Sequence, residues 1–484
     1  MNQSQLNTTQ YIIKKYVESS IDKNDINSNL KEIRKKIYKP PKELEFIPTV
    51  SLFKFLLLLA HNKGQDEIQK LIFESDPDKI GLVKIFVGFK WVIIINDFEL
   101  AKPFLRESAY TLPKSQLPET HPTRLLFGKG MFFTNGDLWA QQRKLASLAF
   151  HRSLCPKPIW KCTNDFITLL DKWTDTPIDA FSLMQRLIIQ ILGRVAFAYD
   201  MGALDSLEEP PYFLKIYSKI IDYVADPYFS IFPFLSSLPF KRNIEHSLLT
   251  KEFDTFLFKI VDQRKLDLSR TKNNNENTDL LAGLLEAANN EKYNYTNEEL
   301  RDDLASIFVS GHDSTTTSLC VIFYHLARYP DIQKKAREEA MNVLGNASKI
   351  PTSDSLKDLK YINAIIMEAL RIYPPAIQLL FRVTTKPLNL SENIVIPKGV
   401  EAAVSLWQVH RNQDIWKDAD KFIPERFMNL ETDITNQWLP FSSGPRNCIG
   451  QKLSMMNQKI VVAMILLNYE ISLPPNTPDR LLLG

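Results

Sequence analysis

F-S-S-G-P-R-N-C-I-G, residues 441–450, sets one cysteine, Cys448, in a loop stiffened by Pro445 and made permissive by Gly444 and Gly450. Arg446 stands two positions before it, and residues 452–467 follow as a helical run of mixed polarity. A thiolate just ahead of a helix N-terminus is stabilised by the helix dipole and by unpaired backbone N–H groups. A lone thiolate of this kind serves either as a nucleophile or as an axial ligand to iron. The neighbours favour the second role. Glycine lets the backbone approach a large flat partner. Phe441 can pack beside that partner, and Arg446 can pair with an acidic group at its rim. These are the needs of a haem held through cysteine; the alternative is a buried free cysteine in an ordinary loop.

The stretch resembles the haem-ligand loop of the cytochrome P-450 (haem-thiolate monooxygenase) family, F-x-x-G-x-R-x-C-x-G, and all five fixed positions match. The resemblance implies a mainly α fold with small β-sheets (α+β) and a long central helix over haem b (iron protoporphyrin). It makes the Cys448 thiolate the axial metal ligand, with Phe441, Gly444, Arg446 and Gly450 shaping the haem site.

The chain has 484 residues, 44% of them hydrophobic, which is ample for a large core. Length alone suggests roughly three domains. The motifs span nearly all of it, so the reading is a polar leader over 1–38 and one haem-thiolate domain over 39–484. A net charge of +3 implies no nucleic-acid surface. The cysteines, Cys155, Cys162, Cys320 and Cys448, form no C-x-x-C pair, and their scarcity suits a reducing compartment.

Residues 39–48 (K-P-P-K-E-L-E-F-I-P) resemble the proline-rich hinge that precedes the catalytic domain in membrane-bound members. Residues 82–88 and 91–96 read as a hairpin about Phe89-Lys90. The irregular stretch 112–133 covers the substrate pocket in the resembled fold. Asn135-Gly136-Asp137 opens a helix with Trp139 and Arg143 on one face; the resemblance implies that both grip a haem propionate, with Arg382 as a second partner for these groups.

A T-x-x-E capping box, Thr296 with Glu299, opens a helix that runs to Tyr329 and stops at Pro330. Its centre, S-G-H-D-S-T-T over 310–316, resembles the family's oxygen-activation motif, A/G-G-x-D/E-T-T/S. Gly311, Asp313 and Thr315 match; Ser310 and Ser314 replace the usual residues, and serine keeps the hydroxyl. The implied catalytic residues are Asp313, Ser314 and Thr315; Gly311, lacking a side chain, makes room for a ligand, and His312 reads as a bystander or packing residue. Residues 356–372 form another helix carrying Glu368 and Arg371. With Arg426 of P-E-R-F, they imply a buried structural network behind the haem.

Residues 227–242 (P-Y-F-S-I-F-P-F-L-S-S-L-P-F-K-R) are apolar and aromatic, punctuated by Pro227, Pro233 and Pro239 and closed by Lys241 and Arg242. They suit contact with a membrane surface. No stretch is long enough to span a bilayer. The resemblance implies the cytosolic face of the endoplasmic reticulum membrane, while the want of an anchor leaves a peripheral or soluble protein open. The sequence ends at Gly484, short of the C-terminal β-hairpin expected in the family.

The function expected is insertion of one oxygen atom of O2 into a small lipophilic or aromatic substrate. Electrons come from outside, since there is no flavin or nicotinamide signature; the partner implied is an NADPH-cytochrome reductase. Lys144, Arg152, Lys452 and Lys459 are expected to form a basic face for it. The entry region, 40–50 with 64–68 and 81–91, is similar to fungal microsomal members of the spore-wall dityrosine-forming type. Oxidative coupling of tyrosine derivatives is therefore one alternative, and a haem-thiolate protein without monooxygenase activity is another.

Overall fold

A computed structural model describes residues 40–61, 64–87, 90–172, 177–206, 209–226, 228–229, 232–270, 279–288, 296–346, 349–428 and 436–477. The polar leader, the tip of the 82–96 hairpin, Pro227, the polar loop 271–278 and the last seven residues lie outside them.

In chain order the helices are α1 (Leu52–Ala60), α2 (Gln65–Glu74), α3 (Phe98–Arg106), α4 (Pro122–Phe127), α5 (Gly136–Arg152), α6 (Pro156–Leu170), α7 (Ala180–Ala196) and α8 (Tyr212–Val224). They continue as α9 (Lys241–Arg270), α10 (Leu280–Ala288), α11 (Asn297–Arg328), α12 (Pro330–Leu344), α13 (Ser355–Asp358), α14 (Lys360–Ile372), α15 (Leu406–Val409) and α16 (Gln451–Asn468). The strands are β1 (Leu82–Val87), β2 (Lys90–Ile95), β3 (Arg382–Val383), β4 (Leu388–Asn389), β5 (Val395–Ile396) and β6 (Glu401–Val404). The mainly α fold with small sheets expected from the sequence is observed.

β1 and β2, rich in β-branched residues, pair antiparallel with Leu82 opposite Ile95. The sheet runs β1-β2-β6-β3, with β2 and β6 parallel, and β4 pairs with β5. The strand–turn–strand reading of 393–404 is met by β5 and β6, which belong to different sheets. Buried Lys84 on β1 donates to the carbonyl of Leu44 at 2.7 Å and to that of Ile47, tying the proline-rich entry to the sheet. Burial lowers its pKa.

The frame is α11. Thr296 and Glu299 make the reciprocal capping box, and the helix ends at Tyr329 ahead of Pro330. Its 32 residues span about 48 Å. Leu304 and Phe308 enter one apolar cluster with α5, α7, α9 and α10. Leu319 and Ile322 enter a second with α6, α14 and α16. A single helix thus joins both cores.

The expected helix over 356–372 is broken. α13 and α14 separate at Leu359, whose ψ is 68°. The N–H groups freed at the start of α14, on Tyr361 and Ile362, donate to the two carboxylate oxygens of Glu339 on α12, at 2.7 and 2.8 Å. A side chain from another helix caps the break, which no local pattern announces.

Candidate active site

The cysteine loop stands directly before α16. The Cys448 N–H donates to the Phe441 carbonyl at 2.8 Å, which closes the loop. Gly444 has φ of 72°, and a Cβ there would lie 2.1 Å from the Leu105 carbonyl of α3. Only glycine fits both conditions. Phe441 packs against Trp438, with ring centroids 5.8 Å apart. Cys448 is accessible, yet enough protein flanks it that desolvation raises its thiol pKa. The N–H groups of Gly450 and Gln451 and the charge of Arg143 pull the other way. The helix-start stabilisation expected from the sequence is present but outweighed. A metal ion bound by Cys448 would supply what remains, since a coordinated thiol is deprotonated outright.

Four cations gather beside this loop. Arg446, 9% exposed, donates to the Thr134 carbonyl and to Asn135 Oδ1, both at 2.9 Å. Its guanidinium lies 3.8 Å from the centre of the Trp139 ring. Arg382 is buried over the Phe104 ring, and Lys114 donates to the Phe132 carbonyl. Arg143 donates to Asn447 through its carbonyl, at 2.7 Å, and its Oδ1, at 2.6 Å. The expected Trp139–Arg143 pair therefore divides: Arg143 grips the cysteine loop and Trp139 carries Arg446.

None of the four forms an ion pair with a carboxylate among the described residues. Burial, then Arg446, Arg382 and Arg143, lower the Lys114 pKa well below its ordinary value. Burial with Arg382 and Arg143 brings Arg446 down to about 9, and burial alone brings Arg382 to about 10. Arg446 Nε and Arg382 Nη1 are buried without a hydrogen-bond partner. Such a site is built for an anion from outside the chain, and a haem, with two carboxylates on one edge, fits it. Lys114 was not read from the sequence, and Asn135 was read only as the opening of α5. Asn135 stands at the N-cap of α5 but its side chain makes no capping bond; its amide instead bonds the Lys114 backbone in both directions, at 2.8 and 2.9 Å, and holds the lysine in place.

On α11, Ser310 is exposed and Ser314 half-buried. At i and i+4 they share one face. Each hydroxyl donates back to the carbonyl four residues earlier, at 2.6 Å. Gly311 does not open room for a ligand: a Cβ there would press on Leu192 of α7 at 3.1 Å, so the glycine serves helix packing. Thr315 is buried, a turn of about 100° from Ser314. Asp313 accepts from Tyr217 Oη at 2.7 Å and lies 2.9 Å from His312 Nδ1. His312, read as a bystander or packing residue, is buried against Tyr217 and Phe308 and also contacts Asp313.

α14 carries a charged network. Arg371 Nε and Nη2 bind Glu368 at 2.7 and 2.9 Å, and Arg426 Nε adds a third contact at 3.1 Å. Glu368 and Arg371 are completely buried. Arg371 also donates to the His410 carbonyl at 2.8 Å, and His410 Nε2 accepts from Leu439 N at 2.9 Å. Two residues later the cysteine loop begins.

The family model described as Cytochrome P450 matches residues 47–483. The chain belongs to the cytochrome P450 family. It is 28% identical to human cytochrome P450 4X1 over 87% of this chain and 84% of that protein. It is 29% identical to cytokinin hydroxylase of Arabidopsis thaliana over 79% and 74%. A crystal structure of a cytochrome P450 (CYP102L1) superimposes with a TM-score of 0.72 at 22% identity, over 84% of this chain and 93% of that one. The protein is thus a haem-thiolate monooxygenase, with a cysteine thiolate as axial ligand, that uses O2 and a redox partner on a lipophilic or aromatic organic substrate.

Replacing Glu368 by alanine leaves the buried Arg371 guanidinium, and the half-buried one of Arg426, without a carboxylate, and the expected loss of stability is about 3–5 kcal/mol. Urea unfolding measures it; a change below about 1 kcal/mol, no more than an exposed pair contributes, would contradict a buried network.

Proposed function

We propose that Cys448 is the axial ligand, that Arg446, Arg382 and Lys114 hold the haem carboxylates, and that Asp313 and Ser314 deliver protons to dioxygen. The observation that carries this reading is the cluster of cations with no acid to answer them among the described residues, beside one accessible cysteine. Haem held there supplies dioxygen activation, with thiolate electron donation favouring O–O cleavage. The chain's own tasks are binding, orientation and electrostatics. Arg143 fixes the cysteine loop through Asn447, and Trp139 supports the Arg446 guanidinium. Ser314 presents a hydroxyl on the accessible face of α11, and Asp313, the next residue along, supplies the proton. The burial of Thr315 supports a packing role for it. The span 39–484 acts as one domain. Hydroxylation, the activity in the name of the Arabidopsis relative, is preferred here to oxidative coupling.

The electron donor in this reading is an NADPH-cytochrome reductase. Lys459 is half-buried and donates to the Leu356 carbonyl, and Arg152 pairs with Glu286. Exposed Lys144 and Lys452 are therefore the better docking cations. One reductase-supported turnover assay tests both proposals. Cys448→Ser is expected to abolish product, and Lys144→Glu with Lys452→Glu to raise the reductase concentration needed for half-maximal rate. Retained turnover in the first, or an unchanged reductase dependence in the second, contradicts the corresponding assignment.

Membrane contact is the second part of the proposal. Phe234, Phe240 and Ile244 expose 52%, 42% and 52% of their surface around segment 227–242, and Phe53 on α1 exposes 75%. Among the described residues no helix is long and apolar enough to cross a membrane, so these side chains would dip into an interface, on the cytosolic face of the endoplasmic reticulum. Phe234→Asp with Phe240→Asp is expected to shift the protein from the membrane pellet to the supernatant on fractionation; an unchanged distribution contradicts the contact.

A further inference from the structure

His312 is completely buried on α11. Its Nε2 lies 3.1 Å from the Gln185 carbonyl of α7, and its Nδ1 lies 2.9 Å from Asp313 Oδ1. A carbonyl only accepts, so Nε2 carries a hydrogen. A carboxylate also only accepts, so Nδ1 carries one as well. A neutral imidazole has one N–H and cannot satisfy both contacts. The other carboxylate oxygen, Oδ2, receives the Tyr217 hydroxyl of α8 at 2.7 Å. Burial and the neighbouring carboxylate push the Tyr217 phenol well above its ordinary value, which keeps it a donor. The Tyr217 and His312 rings meet edge to face, 5.3 Å between centroids. Asp313 is thus held at both oxygens, yet 38% of its side chain stays accessible.

We propose that His312 is an imidazolium paired with Asp313, and that this pair stores one proton for the oxygen-activation step, with His312 and Tyr217 as positioning residues. The proposal rests on the reading of Asp313 as proton supplier. In the step, the Nδ1 proton moves to Asp313 Oδ1. Asp313 passes a proton to the Ser314 hydroxyl, and Ser314 releases its own toward the oxygen under reduction, whose electrons come from the reductase. The neutral ring is left with an unprotonated Nδ1 facing a carboxylate oxygen. That contact is unfavourable until the accessible edge of Asp313 takes a proton from water and returns it. The store therefore reloads after each delivery.

Nitrogen-15 spectra of the histidine-labelled, reduced and carbon monoxide-bound holoprotein test the charge state directly. The sequence has seven histidines, and the His312 signals are those lost in His312→Gln. Two protonated ring nitrogens at neutral pH, reverting to one in Asp313→Asn, are expected; a single protonated nitrogen in the unsubstituted protein overturns the proposal. Turnover supplies the second arm. His312→Gln should lower product formed per NADPH by roughly 10-fold, with hydrogen peroxide making up the difference and substrate affinity unchanged. Should that variant not fold, Tyr217→Phe removes one oxygen and carries the same measurement. A doubly protonated ring with unchanged product yield in both Asp313→Asn and His312→Gln would refute Asp313 as proton supplier, and with it the store. A neutral ring with a reduced yield in Asp313→Asn would refute the store alone.

Discussion

Four positive side chains, Lys114, Arg143, Arg382 and Arg446, converge beside the cysteine loop with no carboxylate partner among the described residues. Burying charge in this way is costly unless an opposite charge arrives. The depressed pKa values of Lys114, Arg446 and Arg382 express that cost. The folded chain is in this sense incomplete. Its site gains stability when an anionic partner binds, and a haem brings two carboxylates to the cations and an iron to the thiol.

The rest of the architecture holds this arrangement still. The Asn135 amide sets Lys114 and accepts from Arg446. Arg143 holds Asn447, next to the cysteine. Behind the loop, the Glu368–Arg371–Arg426 network reaches it through His410, whose ring accepts from Leu439 N. Burial first, then the charges of Arg371 and Arg411, lower the His410 pKa to about 3, so the ring stays neutral. With Nε2 accepting, its single proton sits on Nδ1. α11, anchored in both apolar clusters, carries Ser310, Ser314 and Asp313.

Much of this was legible in the sequence where the signal is local. The cysteine loop, the capping box and stop of α11, the Glu368–Arg371 spacing and the β1–β2 hairpin each lie within a few consecutive residues. What escaped is what distant segments assemble. Lys114 sits in an irregular stretch with no periodicity. Tyr217 meets Asp313 from 96 positions away. The break at Leu359 depends on Glu339 of another helix. Gly311 shows why local reading also misassigns: a missing side chain signals close approach, but the neighbour proved to be Leu192. The polar contacts of His312 escaped because its partner Gln185 is 127 positions distant.

The account's central claim is that the buried cations and Cys448 together hold a haem through a thiolate. The reduced, carbon monoxide-bound difference spectrum of the purified protein tests it most directly. A strongly red-shifted Soret band is the result predicted. A band at the position typical of histidine or neutral-thiol ligation, or no band in protein supplied with haem, would contradict it.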